Sequence, residues 1–369
     1  VRSHDRVLEV MLFVAGALIA GITGLLTIGF LLWLSDRAAG RDEDGKHGIS
    51  DRLPSRLGGF AVFVSALLVL WSRQFTSPAF AGGVLEHVSI VELAAVLIGL
   101  IGLAEDLLQS LRTGTRLFLL FVVVSVCVAL QPDMVPVDIV TWMSPDLMHH
   151  FWIMSPLTVI LVVAFVNAGN IADGANGLLP LVLAPLFFLV HSLTGSSIAF
   201  AVLLSLTVFA TFNLLTGRII LGDMGSYLLS ALACFWSLEL FREQLVSPWL
   251  LAALLAYPCL EFVFSVVRRT WTRTSPLRAD DKHLHNHLHQ WWLSRGVPEL
   301  PANSLTGMTI ASMTTGIAIL FYLSGLSYES SKWFFVFVGE ALLLLGITWG
   351  FARNGSKVQV SSLDMAGRS

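Results

Sequence analysis

HFWIMSPLTVILVVAFVNAGNIADGANGL, residues 150–178, changes character once, at Asn167. From Phe151 to Val166 there is no charged side chain, and the apolar run is long enough to cross most of a hydrocarbon core about 30 Å thick. The next twelve residues hold three asparagines, Asp173 and three glycines. A tight turn between antiparallel helices needs only about two to five residues. Glycine lets the backbone approach a ligand closely, and Asn and Asp supply donors and acceptors for a base, a ribose or a phosphate. An apolar helix opening into a polar, glycine-bearing segment is therefore the unit from which the rest of the chain is read.

The unit recurs. Spans are expected at about 7–34, 58–72, 89–104, 116–131, 150–167, 178–194, 197–215, 226–241, 248–267, 305–325 and 333–352. The second, third and eighth are short. The chain of 369 residues is 55% hydrophobic and only 13% charged, with a mean hydropathy of +0.77. An ordinary soluble domain carries about 25% charged residues. The expectation is an all-α polytopic integral membrane protein with about 11 transmembrane helices, 10 at the lower count. The first span, preceded by Arg2 and Arg6, is too long for a signal-peptide core and has no small-residue cleavage pattern after it, so it is expected to be retained. Cys127, Cys234 and Cys259 all lie within apolar stretches and read as small core residues.

Lysine and arginine give the chain a direction. The loops after odd-numbered spans, together with the C-terminal tail, hold seventeen of them, among them Arg56, Arg112, Arg116, Arg218, Arg268 and Arg269. The other side holds five: Arg2, Arg6, Arg73, Arg242 and Lys332. By the positive-inside rule the N-terminus is outside and the C-terminus cytoplasmic. This gives a single transmembrane catalytic domain over 1–352, with cytoplasmic loops at 35–57, 105–115, 168–177, 216–225 and 268–304, followed by a cytoplasmic tail at 353–369. The net charge of −3 gives no argument for nucleic acid, which is not expected as a partner.

The polar segments that could carry chemistry fall on that face. Glu105 and Asp106 close the third span, where acids oppose the helix dipole and are usually functional. Asn170, Asp173 and Asn176 lie in the quoted segment. Asn213 and Arg218 precede Gly222-Asp223-Met224-Gly225-Ser226, in which Asp223 stands at a helix start as an N-cap or, more sharply, a magnesium ligand. Asp280-Asp281-Lys282-His283-Leu284-His285-Asn286-His287-Leu288-His289 sits near Arg268, Arg269, Arg273 and Arg278, so His283 and His285 read as phosphate donors. Pro54 and the Gly58–Gly59 pair open the second span. Carboxylates for a cation, amides for a nucleotide and a His/Arg loop for phosphates make up the inventory of phosphoryl transfer.

In this order the segments resemble the polyprenyl-phosphate N-acetylhexosamine-1-phosphate transferases, glycosyltransferase family 4. The family includes the UDP-GlcNAc:undecaprenyl-phosphate and phospho-MurNAc-pentapeptide transferases. Its paired acids match Glu105 and Asp106, and its N-x-x-D-G-x-D/N-G-L segment matches Asn170, Asp173, Gly174, Asn176, Gly177 and Leu178. Asn213, Arg218, Gly222, Asp223, Gly225 and Ser226 match the third motif, Asp280, His283 and His285 the D-x-x-H-x-H loop, and Pro54 to Gly59 the P-x-x-x-G-G start of the second span. Glu105 stands where the family usually has Asp, Asn176 where an acid is common, and Asn286 where another His is frequent. The His-Leu-His-Asn form is closer to the branch that initiates surface polysaccharides.

The resemblance implies transfer of a hexosamine-1-phosphate from a UDP-sugar to polyprenyl phosphate, with release of UMP, at the cytoplasmic face of a bacterial inner membrane. Mg²⁺, or Mn²⁺ in its place, would sit on Asp223 and Asp106. Glu105, Asp106, Asp173, His283 and His285 form the implied catalytic group. Asn170, Asn176, Asn213, Arg218, Asp280, Pro54 and Gly59 form the substrate-binding group. A homodimer is compatible with this reading. Rival readings are a secondary transporter and a metal-handling membrane protein built on His283–His289. A transporter would carry its polar residues near the midplane in repeated broken helices, and catalytic zinc would need three well-placed ligands.

Overall fold

The computed structural model describes residues 2–35, 54–73, 88–136, 151–273 and 282–366, with the side chains of 2–13, 34–35, 73 and 352–366 left aside. Asp280, Asp281 and most of the first charged loop lie outside the described residues. The helices are α1 (Arg2–Ser35), α2 (Gly58–Arg73), α3 (Ile90–Leu108), α4 (Thr113–Leu130), α5 (Phe151–Ala172), α6 (Leu178–Thr194), α7 (Ser197–Thr216) and α8 (Gly222–Arg242). There follow α9 (Pro248–Leu254), α10 (Ala256–Trp271), α11 (Leu284–Ser294), α12 (Glu299–Met313), α13 (Thr315–Leu323) and α14 (Trp333–Ala366). Among the described residues the only extended pairing is an isolated parallel bridge between Ser55 and Ile219.

This is the architecture of a polytopic membrane protein. Six helices are long and apolar enough to cross a membrane, or eight if the bent pairs α9–α10 and α12–α13 each count as one span. The helices α2 and α6 are shorter apolar helices, and α3 carries Glu92, Glu105 and Asp106. Each stretch expected to span coincides with a helix or with a bent pair. Several boundaries differ from expectation: α5 runs on to Ala172, α8 begins at Gly222 and α14 continues to Ala366. Helix α3 runs on through the acidic pair to Leu108, the ninth stretch is two helices meeting at 77°, and the described part of the 268–304 loop is largely helical.

The 77° bend has a chemical cause. Pro258, in the first turn of α10, has no N–H for the carbonyl of Leu254 four residues earlier. That carbonyl instead accepts from Thr315 Oγ1 at 2.8 Å. Thr315 begins α13, next to the break at Thr314 between α12 and α13. The two broken pairs are thus tied at their breaks.

Helix α8 is the axis of the bundle. Every residue from Leu221 to Trp236 is buried, against α3, α5 and α2. Glycines allow the contact. A Cβ at Gly102 of α3 would overlap the Asp223 carbonyl and the Met224 amide, and one at Gly59 of α2 would overlap the Gly225 backbone. On α5, a Cβ at Gly169 would meet the Ser230 hydroxyl. Outer helices show the converse pattern: Phe118 on α4 and Phe335, Leu342 and Trp349 on α14 are exposed, as lipid-facing side chains are. Cys127 and Cys234 are buried, and all three cysteines are free thiols.

This packing makes a paired prediction. Gly102→Ala must push backbone away from α8 and should destabilise the protein by about 1–3 kcal/mol. Gly21→Ala in α1, where a Cβ meets nothing within 4 Å, should be neutral or stabilising by up to about 1 kcal/mol. Thermal unfolding in detergent, followed by size-exclusion recovery of the two variants, checks the contrast.

Candidate active site

The polar segments meet at the N-terminal end of α8, and the meeting is built from the backbone upward. The first four N–H groups of a helix have no partner within it. Two of those on α8, from Asp223 and Met224, donate to Asp106 Oδ1 at 2.9 Å and Oδ2 at 2.8 Å. Asp106 is fully buried, so its charge is held by these amides and by Arg56, whose Nε lies 3.2 Å from Oδ1. A carboxylate from one helix caps another. Gly222, at φ 73°, makes the turn into α8; a Cβ there would overlap the Arg56 carbonyl and the Asp106 carboxylate.

The same corner fixes the segment before α2. Ser55 donates its N–H to the Arg218 carbonyl (3.0 Å), Ile220 donates to the Ser55 carbonyl (2.8 Å), and Gly58 and Gly59 donate to the carbonyls of Ile220 and Leu221. Pro54 and Gly59 are buried in this clamp. What they do visibly is place Arg56 over the acids. The side chain of Arg218 is exposed at the rim.

Asp223 faces the opening. Its Oδ1 accepts from Asn170 Nδ2 at 3.1 Å and from Arg56 Nη2 at 3.3 Å, and its Oδ2 from Arg116 Nη1 at 2.6 Å. Asn170 also donates to Ser226 Oγ at 2.9 Å. Asp173, just beyond the end of α5, makes no hydrogen bond through its carboxylate among the described residues. Burial, then the neighbouring charges of Asp223 and Asp106, hold its carboxyl well above the usual carboxylate range. Glu105 points elsewhere: its Oε2 accepts the Leu111 N–H at 2.9 Å and secures the turn after α3.

Asn176 and Asn213 are buried and join loops. Asn213 accepts from the Gly177 N–H at 2.6 Å and donates to the Ile219 carbonyl at 2.7 Å and to Asn176 Oδ1 at 3.3 Å. The N–H of Asn176 reaches Asn303 Oδ1 at 2.7 Å, and its Nδ2 reaches Ser304 Oγ at 3.3 Å on α12. Their polar atoms hold the quoted segment, the Arg218 loop and α12 in one frame.

The histidines close the far side. The ring of His285 lies against Gly174, where a Cβ would overlap Nε2, Cε1 and Cδ2. His283 and His285 stack, with centroids 5.3 Å apart and planes at 13°. Burial, then the neighbouring His283, His287 and His289, lower the His285 pKa to about 3. His285 is therefore neutral at physiological pH, a hydrogen-bond partner for an anion and not a counter-charge. Burial also lowers His287, which stacks on Phe351, and His289, which lies 3.3 Å from Glu299.

A sequence reading built on motifs passed over five groups that the structure places here. Arg56 and Arg116 entered it only as markers of sidedness, Ser226 only as part of a motif. Tyr257 and Glu261, on α10, reach the two histidines: Tyr257 Oη lies 2.9 Å from His285 Nδ1, and Glu261 Oε1 lies 2.9 Å from His283 Nδ1. A carboxylate within an apolar stretch was signal enough to find Glu261.

Among the described residues no three His, Cys, Asp or Glu side chains come together to hold a metal ion by themselves. Magnesium bound with phosphates asks for only one or two protein carboxylates. Asp223 with Asp173, whose carboxylate has no hydrogen-bond partner among the described residues, fits that smaller demand. Asp106 backs Asp223 through the two amides.

The chain matches a family model described as "Glycosyl transferase family 4" over residues 88–241. It is 27% identical over 297 residues to a probable undecaprenyl-phosphate N-acetylglucosaminyl 1-phosphate transferase of Bacillus subtilis, covering 75% of this chain and 78% of that protein. An undecaprenyl-phosphate alpha-N-acetylglucosaminyl 1-phosphate transferase of Thermotoga maritima is 34% identical over 128 residues, 35% of this chain and 40% of that one. A decaprenyl-phosphate N-acetylglucosaminephosphotransferase of Mycolicibacterium smegmatis is 29% identical over 271 residues, 64% of this chain and 65% of its own length. Over α3 to α8, in an all-helical membrane bundle whose motif segments are drawn to one corner, this chain is similar to glycosyl transferase family 4.

Proposed function

We propose that the protein is a phospho-sugar transferase that moves a hexosamine-1-phosphate, N-acetylated as in GlcNAc, from a UDP-sugar to polyprenyl phosphate. An oxygen of the lipid phosphate attacks the β-phosphorus of the UDP-sugar. The anhydride bond to the α-phosphate breaks, and UMP leaves with the displaced oxygen. One anhydride replaces another, so the barrier is one of charge and position. The observation that carries this reading is the corner itself, where Asp106, Asp173, Asp223, Asn170, Arg56, Arg116 and the two stacked histidines converge from five parts of the chain. The names of the relatives, transferases of N-acetylglucosaminyl phosphate onto undecaprenyl or decaprenyl phosphate, support the same reading.

Asp223 with Asp173 would hold Mg²⁺, or Mn²⁺, which when bound neutralises charge on the diphosphate. The chain's own groups do the remainder. Arg116 and Arg56, within reach of Asp223, put two permanent positive charges where phosphate oxygens would lie. Asp106 holds the amides at the head of α8 in place. Asp173, whose carboxylate has no hydrogen-bond partner among the described residues, would in its ionised form take the proton of the lipid phosphate. His285 offers a hydrogen bond without charge. Asn176 and Asn213 keep the nucleotide end rigid, with Arg218 at its rim.

Eleven spans, an outside N-terminus and a cytoplasmic C-terminus would set this corner at the inner face of the plasma membrane, supported by the seventeen basic residues assigned to that side. The product would start a surface polysaccharide such as O-antigen, capsule or exopolysaccharide.

Purified protein in detergent, given undecaprenyl phosphate, Mg²⁺ and a panel of UDP-HexNAc donors, should release UMP only when lipid and metal are both present. Asp223→Asn should lower kcat/KM by about a hundredfold or more, and Arg116→Gln by about a hundredfold. Near-wild-type, magnesium-dependent turnover by Asp223→Asn would remove the metal assignment. His285 yields a pH prediction. Its folded pKa, about 3, lies below the ordinary 6.5, so between those values the unfolded chain binds a proton that the folded one refuses. Its stabilising contribution is complete above pH 6.5 and falls as pH drops, by up to about 1.4 kcal/mol per unit. Thermal unfolding at a series of pH values should show a shallower acid loss in His285→Gln than in the parent.

A further inference from the structure

The two carboxylate oxygens of Asp223 are engaged unequally. Oδ1 accepts from Asn170 Nδ2 at 3.1 Å and from Arg56 Nη2 at 3.3 Å. Oδ2 accepts from Arg116 Nη1 at 2.6 Å and from no other group among the described residues. The Arg116 contact is largely shielded, its two side chains being 19% and 11% exposed.

The two arginines are held differently. Arg56 rises from a segment pinned by backbone hydrogen bonds to residues 218–221, and its Nε also lies 3.2 Å from Asp106 Oδ1. Arg116 stands near the start of α4, and its guanidinium makes one hydrogen bond among the described residues, the one to Asp223. Its buried Nε has no acceptor. A guanidinium carries five donors in a rigid fork that matches phosphate oxygens two at a time. A single bond to a single oxygen leaves that fork under-used in a place where water does not complete it.

Oδ2 is also the oxygen left for a cation, because Oδ1 already takes two donors. A divalent cation there and the Arg116 guanidinium would be like charges at one oxygen, with Arg56 at the other. In a shielded corner such repulsion is much stronger than in water. A diphosphate reverses the balance. It brings negative charge to the ion and paired acceptors to the fork, so the guanidinium can leave Asp223 for the phosphates as the ion arrives.

Resting on the transferase and metal reading above, we propose that Arg116 competes with the divalent cation for Asp223 Oδ2, so that cation and nucleoside diphosphate bind strongly only together. The coupling is reciprocal: the factor by which the diphosphate raises the cation's affinity is the factor by which the cation raises the diphosphate's. Metal alone is turned away, and Arg116 is released toward the phosphates when the pair enters.

Mn²⁺ is the probe, because its electron paramagnetic resonance signal is lost on binding. Purified parent and variants in detergent are titrated with Mn²⁺ alone, and UDP affinity is measured by calorimetry with and without saturating Mn²⁺. Arg116→Gln should bind Mn²⁺ alone about tenfold more tightly than the parent, a gain that a second change, Asp223→Asn, should abolish. Mn²⁺ should raise UDP affinity by about tenfold or more in the parent, and by about threefold or less in Arg116→Gln. Arg116→Lys, which keeps the charge, should stay within about threefold of the parent. A residue that merely braced the fold would not yield tighter metal binding together with slower turnover. The proposal is overturned if parent and Arg116→Gln take up Mn²⁺ at Asp223 with equal affinity. It is equally overturned, with no variant needed, if the parent binds UDP as tightly without Mn²⁺ as with it. No uptake of Mn²⁺ by any of these proteins, with or without UDP, would remove the metal assignment itself and the competition with it.

Discussion

Two amide groups at the start of α8 need acceptors in the interior of a membrane bundle, and the Asp106 carboxylate of α3 provides them. The cost of burying that charge is offset because both of its oxygens are engaged by N–H groups and Arg56 lies alongside. The contact cannot be made at ordinary helix separation. It needs Gly102 and Gly222 so that the end of α3 and the head of α8 touch backbone to backbone. Once they do, Asp223 has one orientation available, the Arg56 clamp has carbonyls to bond, and α5 can bring Asn170 in from the opposite side. Most of the corner follows from satisfying two donors that water cannot reach.

The electrostatics of the site follow from that arrangement. Three carboxylates gather at one helix start, a grouping that in isolation would repel, and two arginines and an asparagine make it tolerable. The arrangement suits chemistry in which anionic substrates and a divalent cation arrive together, because the fixed charges of both signs are already in place and no side chain has to be recruited from far away. On the histidine side the principle is the reverse. Apolar enclosure withholds charge from His285, which is left to hydrogen-bond an anion and not to balance it.

Much of this was legible in the sequence because a bilayer allows few solutions. Apolar length marks the helices, and glycine, asparagine and acid between them mark the corner. The motif segments at Asp106, Asn170, Asp173, Asp223 and His283–His285 meet in space, in an order that the chain alone suggests. What stayed hidden depends on contacts between distant segments. Nothing in the spacing of Pro54 to Gly59 says that its backbone pairs with Arg218 to Leu221, so Arg56 looked like loop charge. Asn176 and Asn213 read as ligand-binding amides because the residues they join, Asn303 and Ser304, lie more than a hundred positions from Asn176. The break at Leu255 escaped an apolar count because Pro258 sits where a proline is often harmless, in a first turn. Glu105 drew attention as half of an acidic pair, but the helix carries it round to the following turn, away from Asp106.

That break has a consequence for the medium in which the site works. With α9 and α10 meeting at 77°, α10, about 24 Å long for its sixteen residues, leaves the line of α9 and packs against α5. Its amphipathicity is inverted relative to a soluble surface helix, with Tyr257 and Glu261 inward and Val263, Val267 and Trp271 outward. A single helix, about 10 Å across with its side chains, thus serves as the wall of a polar chamber and as part of the lipid-facing exterior. Glu261 is buried, so little solvent reaches it to loosen its hold on His283. The bilayer is in this sense a structural component of the site, an insulating backing that keeps local fields strong and short in range.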